Sequence, residues 1–194
     1  MRSPWIKRGV FAASLLPLLW LAGRFAMDDL GVNPVETINR FTGDWALRFL
    51  LLSLAITPLR RFGQSWAAPL RRMLGLYAFF YLSCHLLAYL GVDLQGDWQA
   101  LWRDIQKRTY ITLGMAAFVL MLPLAVTSTN RMIRRLGGKN WQRLHRLTYP
   151  IASLAVAHYW MMVKADIRQP VLYAMILSIL LAVRLIPKPR RDGA

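Results

Sequence analysis

Six apolar runs separated by short, arginine-rich segments restrict this chain to one kind of fold. They cover residues 9–26, 45–59, 73–90, 110–126, 147–163 and 171–186, and each holds 15 to 18 residues. A helix needs about 20 apolar residues to cross a bilayer, and flanking Trp, Arg and Lys lengthen a shorter run by carrying their polar tips to the interface. The pattern predicts an all-α integral membrane bundle of six transmembrane helices in a single domain, residues 1–194. The second run is the weakest, because Arg48 sits inside it and Pro58 closes it. The amino terminus resembles a secretory signal, with a basic start and then an apolar stretch. That stretch is too long for a signal core and lacks a clear small-residue cleavage site, so it reads as a retained first helix.

Charge orients the bundle. One alternate set of connecting segments, which includes Arg60, Arg61, Arg71, Arg72, Arg131, Arg134, Arg135, Lys139, Arg143 and Arg146, holds 17 basic residues against one acid, Asp192. The other set holds eight basic residues against eight acids. Basic loops stay in the cytoplasm, so both termini are expected there, and the alternation requires an even number of spans. A net charge of +16 on a soluble chain would suggest nucleic acid. Here the charges lie between apolar runs, which points to topology and anionic membrane lipid and excludes nucleic acid as the partner. The single cysteine, Cys84, rules out an internal disulfide, a dithiol motif and the C-x-x-C-H attachment of a covalent haem. No G-x-G-x-x-G opens a dinucleotide-binding unit. Residues 28–44 and 91–109 are expected to lie along the interface, with Trp98 and Trp102 as anchors on one helix face.

Imidazoles in apolar helices need partners. His85 lies twelve residues into the third run and His158 eleven into the fifth, depths of about 18 and 16 Å in two helices that run in parallel. Equal depth suits a haem held by one histidine from each side. The same pair could instead relay protons or bond neighbouring helices. No Asp or Glu falls inside any run, which weighs against a proton path. Met161 and Met162 could replace one histidine, since Met/His ligation occurs, but the depth match favours the histidine pair. His145 precedes His158 by thirteen residues, about 140° away around a helix, with Pro150 between them. It is therefore placed on a lead-in at the cytoplasmic edge. Arg72, not histidine, stands near its depth on the third helix. That leaves His145 as a lone ligand of a second haem, a flavin or quinone contact, or an interfacial residue. Arg71, Arg72, Arg143 and Arg146 are candidates for haem propionates or an FMN phosphate, because guanidinium grips such anions by two hydrogen bonds. Topology and lipid attraction account for the same arginines.

Three stretches, SLAITPLRR (53–61), RRMLGLYAFFYLSCHLLAYL (71–90) and WQRLHRLTYPIASLAVAHYW (141–160), resemble the MsrQ (YedZ) family. That family belongs to the ferric-reductase-like transmembrane superfamily, together with the membrane domain of NADPH oxidases. The resemblance covers nearly the whole chain. It implies haem b, FMN, and a multi-pass subunit of the bacterial inner membrane. It also implies electrons drawn from the quinone pool or a cytosolic flavin reductase and delivered to a periplasmic molybdopterin-containing partner, MsrP, where methionine sulfoxide is reduced. Larger relatives carry four haem histidines, two on each of the third and fifth helices. His85, His145 and His158 match three of these. Two other functions fit the residues alone: a small proton-coupled transporter that uses the histidines without metal, and a non-redox anchor for a periplasmic partner.

Overall fold

Asn33 and Pro34 fix the start of the helix that carries most of the core. The Asn33 side chain accepts the Glu36 N–H at 3.2 Å, and Pro34 takes the first helical position, where a missing N–H loses nothing. The computed structural model describes residues 4–163 and 165–186. Among the described residues there is no strand. The helices are α1 (Pro4–Ala26), α2 (Pro34–Arg61), α3 (Leu70–Ala88), α4 (Trp98–Lys107), α5 (Thr109–Val126), α6 (Asn130–Leu136), α7 (Gly138–Leu144), α8 (Thr148–Met162) and α9 (Arg168–Leu185). A π turn, Tyr89–Asp93, extends α3, and a tight 3₁₀ turn, His145–Leu147, joins α7 to α8.

Four helical stretches are long and apolar enough to cross a membrane: Trp5–Ala26, Leu70–Asp93, Thr109–Val126 and Arg168–Leu185. Their outward faces expose Leu16, Leu19, Phe25, Val119, Met175 and Ile179, a surface suited to lipid and not to water. This is a membrane protein. Two of the expected spans are atypical. The α2 helix starts eleven residues before the apolar run at 45–59, and it carries Glu36, Arg40, Asp44 and Arg48. The α8 helix has 15 residues and rises only about 22 Å. Residues 34–44 are not a separate surface stretch; they are the first three turns of α2. The interface helix expected within 91–109 is α4, capped by Asp97 and exposing Trp98 and Trp102.

The helices pack as two antiparallel pairs, α2 with α3 and α5 with α8, and α9 lies against both α8 and α2. Leu54, Tyr81, Ile151 and Ala152 are fully buried in the core. The first helix is pinned by hydroxyls. Tyr77 donates to the Phe11 carbonyl at 2.9 Å. Tyr81 donates to the Ser14 carbonyl at 2.9 Å and accepts the Leu18 N–H at 3.2 Å. Ser14 and Leu18 flank Pro17, which has no N–H to give the helical ladder, so the tyrosine serves two backbone groups beside the proline.

Charge divides the bundle into two ends. The ion pairs among the described residues are Arg24–Asp29, Arg40–Glu36, Arg48–Asp44, Arg103–Asp97, Arg108–Asp104 and Arg168–Asp166, all at the end where α2 and α5 begin. Arg48 also donates to the Tyr173 hydroxyl at 3.0 Å and lies over the Trp45 ring, which is how α2 tolerates a charge beside its apolar run. At the opposite end Arg60, Arg61, Arg71, Arg72, Arg143 and Arg146 enter no ion pair among the described residues. Arg61 instead donates to the Val183 and Ile186 carbonyls, closing the end of α9. Arg2, Lys164, Lys188, Arg190, Arg191 and Asp192, which the charge count used, lie outside the described residues.

Candidate functional site

His85 sits near the end of α3 and His158 near the end of α8, and the helix pairing brings them together. Their ring centroids are 6.3 Å apart and the ring planes cross at 75°. Two imidazoles on opposite sides of one metal ion, each with a bond of about 2 Å and a ring centre about 1.1 Å beyond its nitrogen, have centroids roughly 6 Å apart. The observed spacing suits an ion between them.

The tautomer suits it as well. His85 Nδ1 lies 2.9 Å from the Asn39 carbonyl oxygen, and His158 Nδ1 lies 2.6 Å from that of Tyr110. A carbonyl can only accept, so each Nδ1 must carry the proton. Each Nε2 then keeps its lone pair for a metal, and the donated N–H fixes ring orientation. Both acceptors are backbone groups at the starts of other helices, Asn39 on α2 and Tyr110 on α5. The residues present therefore fit a haem iron held by two histidines.

Room for the rings comes from two glycines that carry no motif of their own. A Cβ built on Gly43 would stand 3.2 Å from His85 Nδ1 and Cε1, and one on Gly114 would stand 3.0 Å from His158 Nδ1. Each is the single glycine of its helix. Ala78, a small residue on the His85 face, is buried at 1% exposure.

A second site lies at the arginine end. A cavity of about 470 Å³ is lined by His145, Arg71, Arg72 and Arg146, together with Arg60, Trp141 and Thr148. No lining residue is acidic. Arg143 is exposed and does not line the cavity, whereas Arg60, not among the candidate arginines, belongs to the wall. His145 lies on the tight turn ahead of α8, separated from the helix that carries His158. Trp141 stacks on it with centroids 3.9 Å apart, and Thr127 Oγ1 lies 3.4 Å from its Nε2. Burial, and next the Arg71 charge, lower its pKa from 6.5 to about 4, so this imidazole is neutral at pH 7. No histidine faces it from α3.

The sequence pattern described as "Ferric reductase like transmembrane component" matches residues 42–156, from α2 to within α8. A heme-binding subunit MsrQ of protein-methionine-sulfoxide reductase from Rhodospirillum rubrum is 59% identical over 184 residues, covering 94% of this chain and 88% of that protein. The chain belongs to the MsrQ family. The MsrQ subunit of Herminiimonas arsenicoxydans is 52% identical, covering 92% of this chain and 84% of that protein. That of Xanthomonas euvesicatoria is 54% identical, covering 90% and 83%. Those relatives are named as heme-binding. All three histidines of this chain fall in its two described sites, two at the acid-paired end and one at the arginine end.

Proposed function

We propose that this chain is the b-type cytochrome subunit of a methionine sulfoxide reductase system, with His85 and His158 as the axial ligands of one haem. The observation that carries this reading is the histidine pair, whose centroids are 6.3 Å apart with both Nδ1 protons given to backbone carbonyls. When bound, haem supplies one-electron chemistry. The chain's own residues do the rest: α3 and α8 present the two Nε2 atoms, the carbonyls of Asn39 and Tyr110 hold the ring planes, and apolar packing keeps water away. Donated Nδ1 protons make the imidazoles stronger ligands and favour the ferric state.

Six helices, α1, α2, α3, α5, α8 and α9, cross the bacterial inner membrane, with the arginine end and both termini in the cytoplasm. Electrons enter at the cavity around His145, where Arg60, Arg71, Arg72 and Arg146 favour an anionic carrier such as FMN. They come from the quinone pool or a cytosolic flavin reductase. They leave from the acid-paired end to a periplasmic molybdopterin-containing subunit of the MsrP type, where methionine sulfoxide is reduced. Neutral His145 suits a wall that stacks on a carrier without adding charge. A second haem would need a ligand facing His145, and the cavity wall offers none from histidine.

The test is the visible spectrum of the purified protein after haem-sufficient expression. The wild type should show a reducible b-type Soret and α band. His85→Ala and His158→Ala should each abolish the six-coordinate spectrum, while His145→Ala should keep it. A colourless wild type would overturn the reading and leave a histidine-based transporter or a bare anchor in its place.

A further inference from the structure

The two histidine supports are built alike. On α2 the carbonyl that accepts from His85 belongs to Asn39, and the glycine against the ring is Gly43, four residues later. On α5 the carbonyl that accepts from His158 belongs to Tyr110, and the glycine against the ring is Gly114, again four later. In an α-helix the carbonyl of residue i already accepts from the N–H of residue i+4. It has a second lone pair, but the side chain of residue i+4 leans back over it, because each Cα–Cβ bond tilts toward the helix start. A glycine at i+4 uncovers that lone pair.

We infer that Gly43 and Gly114 are positioning residues: each is a bare notch that lets a histidine from the neighbouring helix reach the carbonyl four residues back, and so sets the angle and tautomer of an axial ligand. The inference rests on the haem-clamp reading. The contacts are close enough to matter. At 3.0 to 3.2 Å from a ring nitrogen, an added methyl forces the imidazole or its helix to give way. A shift of a few tenths of an ångström is enough to change the ring's carbonyl bond and the direction of its Nε2. Other helical glycines show no such role, since a Cβ on Gly9 or Gly23 would meet nothing within 4 Å.

The experiment compares Gly43→Ala, Gly114→Ala and the control Gly23→Ala, each purified in detergent with haem. Alanine forms helix better than glycine, so a glycine with no special duty should tolerate the change or gain stability. The low-spin ferric EPR spectrum is the first readout, since its largest g value follows the angle between the two imidazole planes. The rate of haem loss to an apoprotein scavenger is the second. Gly43→Ala and Gly114→Ala should shift that g value and release haem about 10- to 100-fold faster, the range found when a partner that orients a ligand is lost. Gly23→Ala should match the wild type in both. If Gly114→Ala does not accumulate, Gly43→Ala carries the test, because its contact is the looser one. Wild-type g values and haem retention in folded Gly43→Ala and Gly114→Ala would overturn this inference and leave the haem clamp standing. A wild type that binds no haem would overturn the clamp itself.

Discussion

Neutralising single arginines at the cavity of the arginine end should weaken FMN binding in an order that the structure sets. A charge-assisted hydrogen bond contributes about 1.5–3 kcal/mol, a 10- to 150-fold change in affinity at about 1.4 kcal/mol per decade. Arg71 is partly buried and lowers the pKa of His145 through its charge, so its guanidinium acts from the less screened side of the wall. Arg71→Gln should show the full effect. Arg60 and Arg146 are exposed and should fall near the low end, about tenfold. Arg72 already donates to the Asn130 side chain at 2.5 Å, which occupies part of its fork, and its loss should matter less. Arg143 does not line the cavity, and Arg143→Gln should change nothing. The assay is quenching of FMN fluorescence by detergent-solubilised protein, at low salt and again at high salt. The high-salt series should compress the exposed residues' effects more than that of Arg71. Equal losses for Arg143→Gln and Arg71→Gln, or no loss in any variant, would refute the assignment of this cavity to an anionic carrier.

Two further outcomes concern the scaffold. Tyr81→Phe removes the hydroxyl that serves both Ser14 and Leu18 at a fully buried position, and should destabilise the bundle by about 1–3 kcal/mol. Tyr77→Phe, which loses one bond to Phe11, should cost less, and reversible unfolding in mixed micelles would rank the two. Asp97 caps α4 by accepting the N–H groups of Ala100 and Gln99, which hold its pKa below the ordinary 3.8. Its folded pKa is depressed, so the cap's contribution is complete above about pH 4 and fades as pH falls through the lower folded value. Amide exchange in α4 should therefore accelerate, relative to its intrinsic rate, only below pH 4. Asp97→Ala should show the faster exchange at every pH.

Much of this architecture was legible because hydrocarbon admits few solutions. Apolar runs marked the four helices long and apolar enough to cross a membrane, and the depth count for His85 and His158 anticipated two rings that the structure places close together. Pro150 and the phase of His145 likewise foretold a break, seen as the tight turn ahead of α8. What escaped notice was whatever depends on a partner helix. Gly43 and Gly114 read as ordinary helix glycines, because a missing side chain signals nothing until the ring that fills its place is known. Arg60 belonged to a matched motif, yet only the fold turns it toward Arg71 and away from Arg143. The interfacial reading of residues 28–44 did not anticipate the start of α2. Four of its charges pair along one face at i,i+4 spacing, Glu36 with Arg40 and Asp44 with Arg48.

Both histidine supports are main-chain atoms, and this hides them from genetics. The acceptors at Asn39 and Tyr110 are present whatever side chain those codons specify, so substitution there leaves the bond to the imidazole in place. A saturation screen would score both positions by the surface they present and miss their service to the histidines. The arrangement lets positions 39 and 110 drift, provided Gly43 and Gly114 stay, while the ligand geometry is inherited with the helix itself.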